Sequence, residues 1–164
     1  MGFEDRLRNQ PSRYTAIEIQ QATETHHETR QVARELLSQK NLIAGEKYLT
    51  GLEGNQNYHF LDRGLAYKVN TTGAGILPQK NSQIRLQYIG KHLDGTEFDH
   101  SAKPVWQSIQ GVLPGWRMAL LNMRAGSQWT LAVPPHLAYG ERGAPERVGP
   151  QETLIFELQL LGVR

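Results

Sequence analysis

The chain has 164 residues, 38% of them hydrophobic and 21% charged, with a formal net charge of +2. So small a surplus, without a Lys/Arg cluster, points away from nucleic acid. With no cysteine, disulfides, thiolate catalysis and Cys-bound zinc are excluded.

No apolar run approaches the ~20 residues of a membrane span. The start, Met1-Gly-Phe-Glu-Asp-Arg, lacks the basic head and apolar core of a signal peptide. The expectation is a cytoplasmic protein as the sequence stands, and a periplasmic one if an export signal precedes Met1.

Residues 1–11 are polar and end at Pro11, and disorder is expected there. From Ser12 to Leu52 the composition is helical, with Ser12 as the expected N-cap, although no Glu follows three positions on. Small or apolar positions recur at Ile19, Ala22, His26, Thr29, Ala33, Leu36 and Ile43, a weak stripe. The middle, Thr23 to Thr29, is very polar. A helix that cannot bury its middle is expected to protrude or to pair with another chain, here a second copy. Gly45 is the expected place for a kink. Residues 1–54 read as an N-terminal helical extension and residues 55–164 as the main domain.

From Gly64 the period changes from helical to alternating. Gly64–Val69 reads as a strand, and Ile84, Leu86 and Tyr88 mark a half-buried one. Asp94-Gly95 signals a hairpin turn, with Phe98-Asp99 on the return strand. Val112-Leu113 reads as a strand end. Pro114 then suits the first position of a short helix, because its missing N–H costs nothing there. Trp116 sits in that helix's first turn, facing inward. Trp129, Leu131 and Val133 alternate in a further strand. Residues 134–151, broken by Pro and Gly, read as an irregular loop. Leu154, Phe156, Leu158 and Leu160 face inward in the last strand. The fold class is α+β: a twisted antiparallel sheet wrapped on one short helix, preceded by the long helix.

The histidines do not make a metal site. His26 and His27 are neighbours, so on a helix they point about 100° apart. No His-x-x-x-His pair exists, and His92, His100 and His136 read as solvated surface residues. Asp99-His100-Ser101 contains the residue types of a hydrolytic triad, but neighbours on a strand face opposite ways and no Gly-x-Ser-x-Gly elbow is present. No metal and no cofactor is expected. What remains is an aromatic set with one acid: Tyr88, Phe98, Asp99, Trp116, Tyr139 and Phe156, with Val112 and Leu113. Most of these would suit an ordinary core. Asp99 and Tyr139, polar-tipped and at the ends of elements, fit a core less well.

Gly95-Thr96-Glu97-Phe98-Asp99, Val112-Leu113-Pro114-Gly115-Trp116, Leu137-Ala138-Tyr139-Gly140 and Leu154-Ile155-Phe156-Glu157-Leu158 together resemble the FKBP-type peptidyl-prolyl isomerases, in order and in spacing. The helical extension resembles that of the bacterial Mip-like subgroup, which dimerises through N-terminal helices. The resemblance implies an isomerase of Xaa-Pro bonds acting on unfolded or proline-containing polypeptides, and macrolides of the FK506 and rapamycin type as inhibitors. It implies Trp116 as the pocket floor, Tyr88, Phe98 and Phe156 as walls, and Val112 and Leu113 as a lip. The Leu113 N–H and the Tyr139 hydroxyl would bond substrate carbonyls, with Asp99 beside the twisting amide.

Two departures stand out. The segment from Asp99 to Gly111 is short, and Gln107 occupies the place of a wall Phe. Either Trp106 turns inward through a bulge to replace it, or the pocket is open on that side. The loop at 144–149 carries Glu146-Arg147 where apolar residues are usual, which implies a wetter lid. An alternative reading is a chaperone-type groove that holds unfolded chains with little isomerase activity.

Overall fold

The computed structural model describes residues 15–164. The Ser12 cap and the disorder expected for 1–11 lie outside these residues. Helix α1 runs Ala16–Glu53 without interruption. Thr15 caps it: the Glu18 N–H donates to Thr15 Oγ1 at 3.3 Å, and the Glu18 carboxylate accepts from the Thr15 N–H at 2.7 Å. This reciprocal pair satisfies two of the donors a helix start leaves open. It also holds the Glu18 carboxyl below its ordinary pKa.

By their contacts, residues up to Leu36 group as one compact unit and Leu37–Arg164 as another. In the first, every described side chain of α1 is exposed or nearly so. In the second, the end of α1 is anchored. Leu52 is buried with Ala66 and Ala132, and Tyr48, Leu49, Tyr58 and Ile155 pack against them. The helix is not broken at Gly45, the expected place for a kink. That glycine is buried instead, and a Cβ there would lie 2.2 Å from Thr153 Oγ1. Its missing side chain serves close approach.

Seven strands follow: β1 (His59–Phe60), β2 (Ala66–Thr71), β3 (Gln83–Lys91), β4 (Glu97–His100), β5 (Val105–Ser108), β6 (Gln128–Val133) and β7 (Leu154–Val163). They form one antiparallel sheet in the order β1-β2-β6-β7-β3-β4, with β5 also paired to β3. Helix α2 (Pro114–Leu120) packs on its inner face. Alternation decides which face each residue takes. Along β7, Leu154, Phe156, Leu158 and Leu160 are at most 1% exposed and face α2, while Glu157 and Gln159 face outward.

Several elements differ from the pattern expected of the sequence, among them β1, which lies in the stretch 51–63 read as a boundary. Strand β5 was not expected; only four residues long, it carries exposed Val105 and Trp106 and no clear alternation. Val112-Leu113 follows a 3-10 turn (Ile109–Gly111), not a strand. The 134–151 loop is more ordered than expected, with a 3-10 turn at Pro135–Leu137 and a bridge between Ala144 and Val148.

Candidate active site

The site begins with a defect in a strand pair. Strands β3 and β4 pair Gly90 with Asp99 and Lys91 with Glu97, so Phe98 is an extra residue: a β-bulge. A bulge re-aims side chains locally. Here it puts Phe98 and Asp99, neighbours in sequence, in one cluster. The Phe98 ring meets Phe156 edge-on, with centroids 5.8 Å apart. The Asp99 carboxylate accepts from the Tyr88 hydroxyl at 2.9 Å. Gly90 makes room for this, since a Cβ there would lie 2.7 Å from Phe98 Cζ and 2.9 Å from Phe156 Cε1.

Beyond the bulge, the edge of β3 changes partner from β4 to β5. The Tyr88 backbone is spanned there by Ser101, whose Oγ accepts the Tyr88 N–H at 2.9 Å and whose N–H donates to the Tyr88 carbonyl at 3.0 Å. Ser101 thus ties a strand together. Its hydroxyl is taken up by the backbone.

The indole of the cluster comes from α2. Pro114 opens the helix, and Gly115 lets its first turn approach the end of β6: a Cβ there would lie 2.7 Å from Val133 Cγ1 and 3.1 Å from the Leu137 carbonyl oxygen. Arg117 clamps the preceding turn by donating to the Ile109 and Gln110 carbonyls. These contacts fix Val112 and Leu113 against Trp116. The indole stands edge-on to Tyr88 at 4.7 Å and to Phe156 at 5.0 Å. It keeps 6% of its surface accessible, and its Nε1–H is buried with no hydrogen-bond partner among the described residues. Tyr88, Phe98, Asp99, Leu113 and Tyr139 are half-buried.

The polar groups are placed around this aromatic cluster. Burial, then the hydrogen bond to Asp99 and its negative charge, push the Tyr88 hydroxyl up to about 12. Burial first and the Asp99 charge second raise Tyr139 as well. Among the described residues neither the Tyr139 hydroxyl nor the Leu113 N–H has a hydrogen-bond partner. An unpaired N–H and O–H beside an apolar cluster are groups a bound peptide carbonyl would satisfy.

Of the expected site residues, Tyr88, Phe98, Asp99, Trp116 and Phe156 make a connected set of contacts, with Val112, Leu113 and Tyr139 packed about the same core. Trp106 is not brought in. It pairs with Arg85 on the outward face, its ring lies over Gly162, and Arg164 stacks on it at 4.2 Å. Gln107, opposite buried Ile84, takes the inward position instead. The strand has no bulge there to reverse the two, so Trp106 does not join the Trp116 cluster.

Of the histidines expected at the surface, His100 and His136 are exposed and only His92 needs correction. His92 is not a solvated residue: its ring pairs with the Glu152 carboxylate and packs 5.1 Å from the Phe98 ring. His100 pairs with Glu97, and His136 bonds the Arg63 carbonyl. Among the described residues no group of three or more candidate ligands could hold a metal ion. What the sequence reading missed at the site is Arg147, whose guanidinium lies 3.7 Å from the Asp99 carboxylate. The polar Glu146-Arg147 pair in the lid was its only signal.

A cavity of about 400 Å³ is lined by Gln87, Ile89, Glu157 and Gln159 together with Tyr88, Glu97, His100, Ser101 and Gln128.

A family model described as FKBP-type peptidyl-prolyl cis-trans isomerase matches residues 75–161, and one described as the domain amino-terminal to it matches residues 1–69. The FKBP-type 22 kDa peptidyl-prolyl cis-trans isomerase of Escherichia coli strain K12 is 34% identical over 165 residues, covering 99% of this chain and 80% of that protein. The peptidyl-prolyl cis-trans isomerase Mip of Coxiella burnetii is 39% identical over 127 residues, covering 76% of this chain and 55% of Mip. The crystal structure of FkpA from Escherichia coli superposes with a TM-score of 0.81 at 32% identity, covering 99% of this chain and 79% of FkpA.

Proposed function

The chain belongs to the FKBP-type peptidyl-prolyl cis-trans isomerases, and on that premise we propose that the Trp116 cluster is where its Xaa-Pro bonds turn. The observation that carries this reading is one arrangement. A buried indole is flanked by Tyr88 and Phe156, and the Leu113 N–H and Tyr139 hydroxyl stand unpaired beside it.

The physics asks for little more. Amide resonance gives the C–N bond a rotation barrier of ~18–20 kcal/mol. Uncatalysed, an Xaa-Pro bond turns over in ~10–100 s at 25 °C. No heavy-atom bond forms or breaks, so no nucleophile is needed. The planar amide carries negative charge on its oxygen, which water stabilises. Seating the imide among Trp116, Phe98 and Phe156 removes that water. The twisted amide separates less charge, so it is favoured relative to the planar one. The Leu113 N–H and the Tyr139 hydroxyl orient the flanking carbonyls. Asp99, its carboxylate already bonded to Tyr88, borders the turning group as a fixed polar neighbour.

Residues 55–164 carry this activity in the proposal. The N-terminal extension serves assembly: Ile17, Ile19, Val32 and Leu36 are 52–67% exposed, an apolar series suited to a second copy of the helix. Macrolides of the FK506 and rapamycin type would compete for the Trp116 site.

The test is exchange between cis and trans isomers of a short Xaa-Pro peptide. Acceleration that an FK506-type macrolide abolishes supports the proposal. Suppression of aggregation without acceleration overturns it in favour of a holding groove.

A further inference from the structure

Asp99 does not need Arg147. One carboxylate oxygen accepts from the Tyr88 hydroxyl at 2.9 Å and the other from the His100 N–H at 3.0 Å. Both are proper hydrogen bonds, whereas the guanidinium stands off at 3.7 Å with its side chain 63% exposed. Among the described residues that guanidinium donates no hydrogen bond. An exposed pair of this kind contributes little to holding either partner. The arginine is therefore a cation kept beside the site with its donors unspent.

Its backbone, by contrast, is fixed. The Arg147 and Val148 N–H groups both donate to the Ala144 carbonyl, and the Ala144 N–H donates to the Val148 carbonyl. Val148 is 6% exposed and part of the core. Gly143, at a φ of +66°, could not carry a Cβ, which would lie 2.3 Å from the Val148 carbonyl oxygen. Glu146 holds the tip of this small hairpin at a φ of +65° and is exposed. The hairpin launches residue 147 from one place, over Asp99.

We propose that Arg147 makes this site selective for an acidic residue immediately before the proline. The inference rests on the isomerase reading. In that reading the carbonyl that turns beside Asp99 belongs to the residue preceding proline. The side chain of that residue leaves from the adjacent carbon, so it emerges at the rim where the guanidinium stands. Arg147 has five donors and a fork that fits a carboxylate in two places. A Glu side chain on the substrate meets it without displacing either proper hydrogen bond to Asp99. A Lys side chain meets a like charge.

The experiment compares kcat/KM for short peptides that differ only in carrying Glu, Leu or Lys before proline. It uses the full chain and its Arg147→Gln, Arg147→Lys and Arg147→Glu variants. The expected Glu-over-Lys preference of the unsubstituted chain is about fivefold at low salt, fading as salt screens it. Arg147→Gln brings the ratio close to one with the Leu peptide little changed, Arg147→Lys retains part of the preference, and Arg147→Glu inverts it. A loss equal for all three peptides means that Arg147 only positions Asp99, and overturns the inference while the isomerase reading stands. So does an unchanged ratio. Failure of the unsubstituted chain to accelerate any peptide overturns both.

Discussion

Tyr88 and Asp99 hold the most specific chemistry of the site, and their coupling has a measurable sign. The Tyr88 hydroxyl is raised from 10.0 to about 12, by burial before anything else. A group whose folded value lies above its unfolded one binds more protons in the folded state between the two values. Its stabilising contribution is therefore complete below pH 10 and is lost between 10 and about 12. The difference in tyrosinate absorbance between the protein and its Tyr88→Phe variant should titrate near 12 and move down in an Asp99→Asn background. A difference spectrum that titrates at the ordinary tyrosine value would contradict the geometry. Single residues also mark where the sequence could and could not be read. The inward burial of Trp116 and Phe156 follows from helix position and strand alternation. The place of Trp106 does not, because which of two adjacent residues faces inward depends on register, and the pairing of Trp106 with Arg85 turns it outward. Phe98 and Asp99 share a cluster only because β4 carries an extra residue, which no period-2 pattern can reveal.

At the scale of elements, the aromatic cluster depends on close approaches that glycine permits. The bulge opposite Gly90 works because the Phe98 ring occupies the space a Cβ would take. Phe156, 1% exposed, cannot yield, so half-buried Phe98 must move if a methyl group is added. Gly90→Ala should cost about 1–3 kcal/mol in stability and lower isomerase activity by displacing a wall. Thermal melting together with the peptide assay checks it, and two unchanged values would mean that Phe98 is not held as described. Strand alternation was legible because β3, β6 and β7 each bury one face and leave the other polar. The long helix was legible from composition, but its start was not. Thr15 and Glu18 form a reciprocal cap at the start of α1, a Thr-x-x-Glu pair that composition alone does not single out. Strand β5 was illegible for a different reason: its pairing to β3 is long-range, and its exposed Val105 and Trp106 carry no inward pattern.

For the whole molecule, the two compact units invite separate tests. The exposed apolar series on α1 predicts self-association, so sedimentation of the full chain should give a dimer and a chain lacking residues 1–36 should give a monomer. A monomer in both cases would remove the assembly role and leave the pocket untouched. Residues 37–53 stay in such a truncation because Leu52 and Gly45 are buried against the same unit as the pocket. The central claim is that a dry aromatic seat, more than any hydrogen bond, lowers the barrier to rotation. Its most direct test is kcat/KM for one Xaa-Pro peptide across Phe98→Ala, Trp116→Leu and Tyr139→Phe, each first shown to be folded by its melting curve. The account predicts losses of at least about tenfold, or ~1.4 kcal/mol of barrier, for the two aromatic variants and a smaller loss for Tyr139→Phe. Equal losses in all three, or a larger one for Tyr139→Phe, would contradict it.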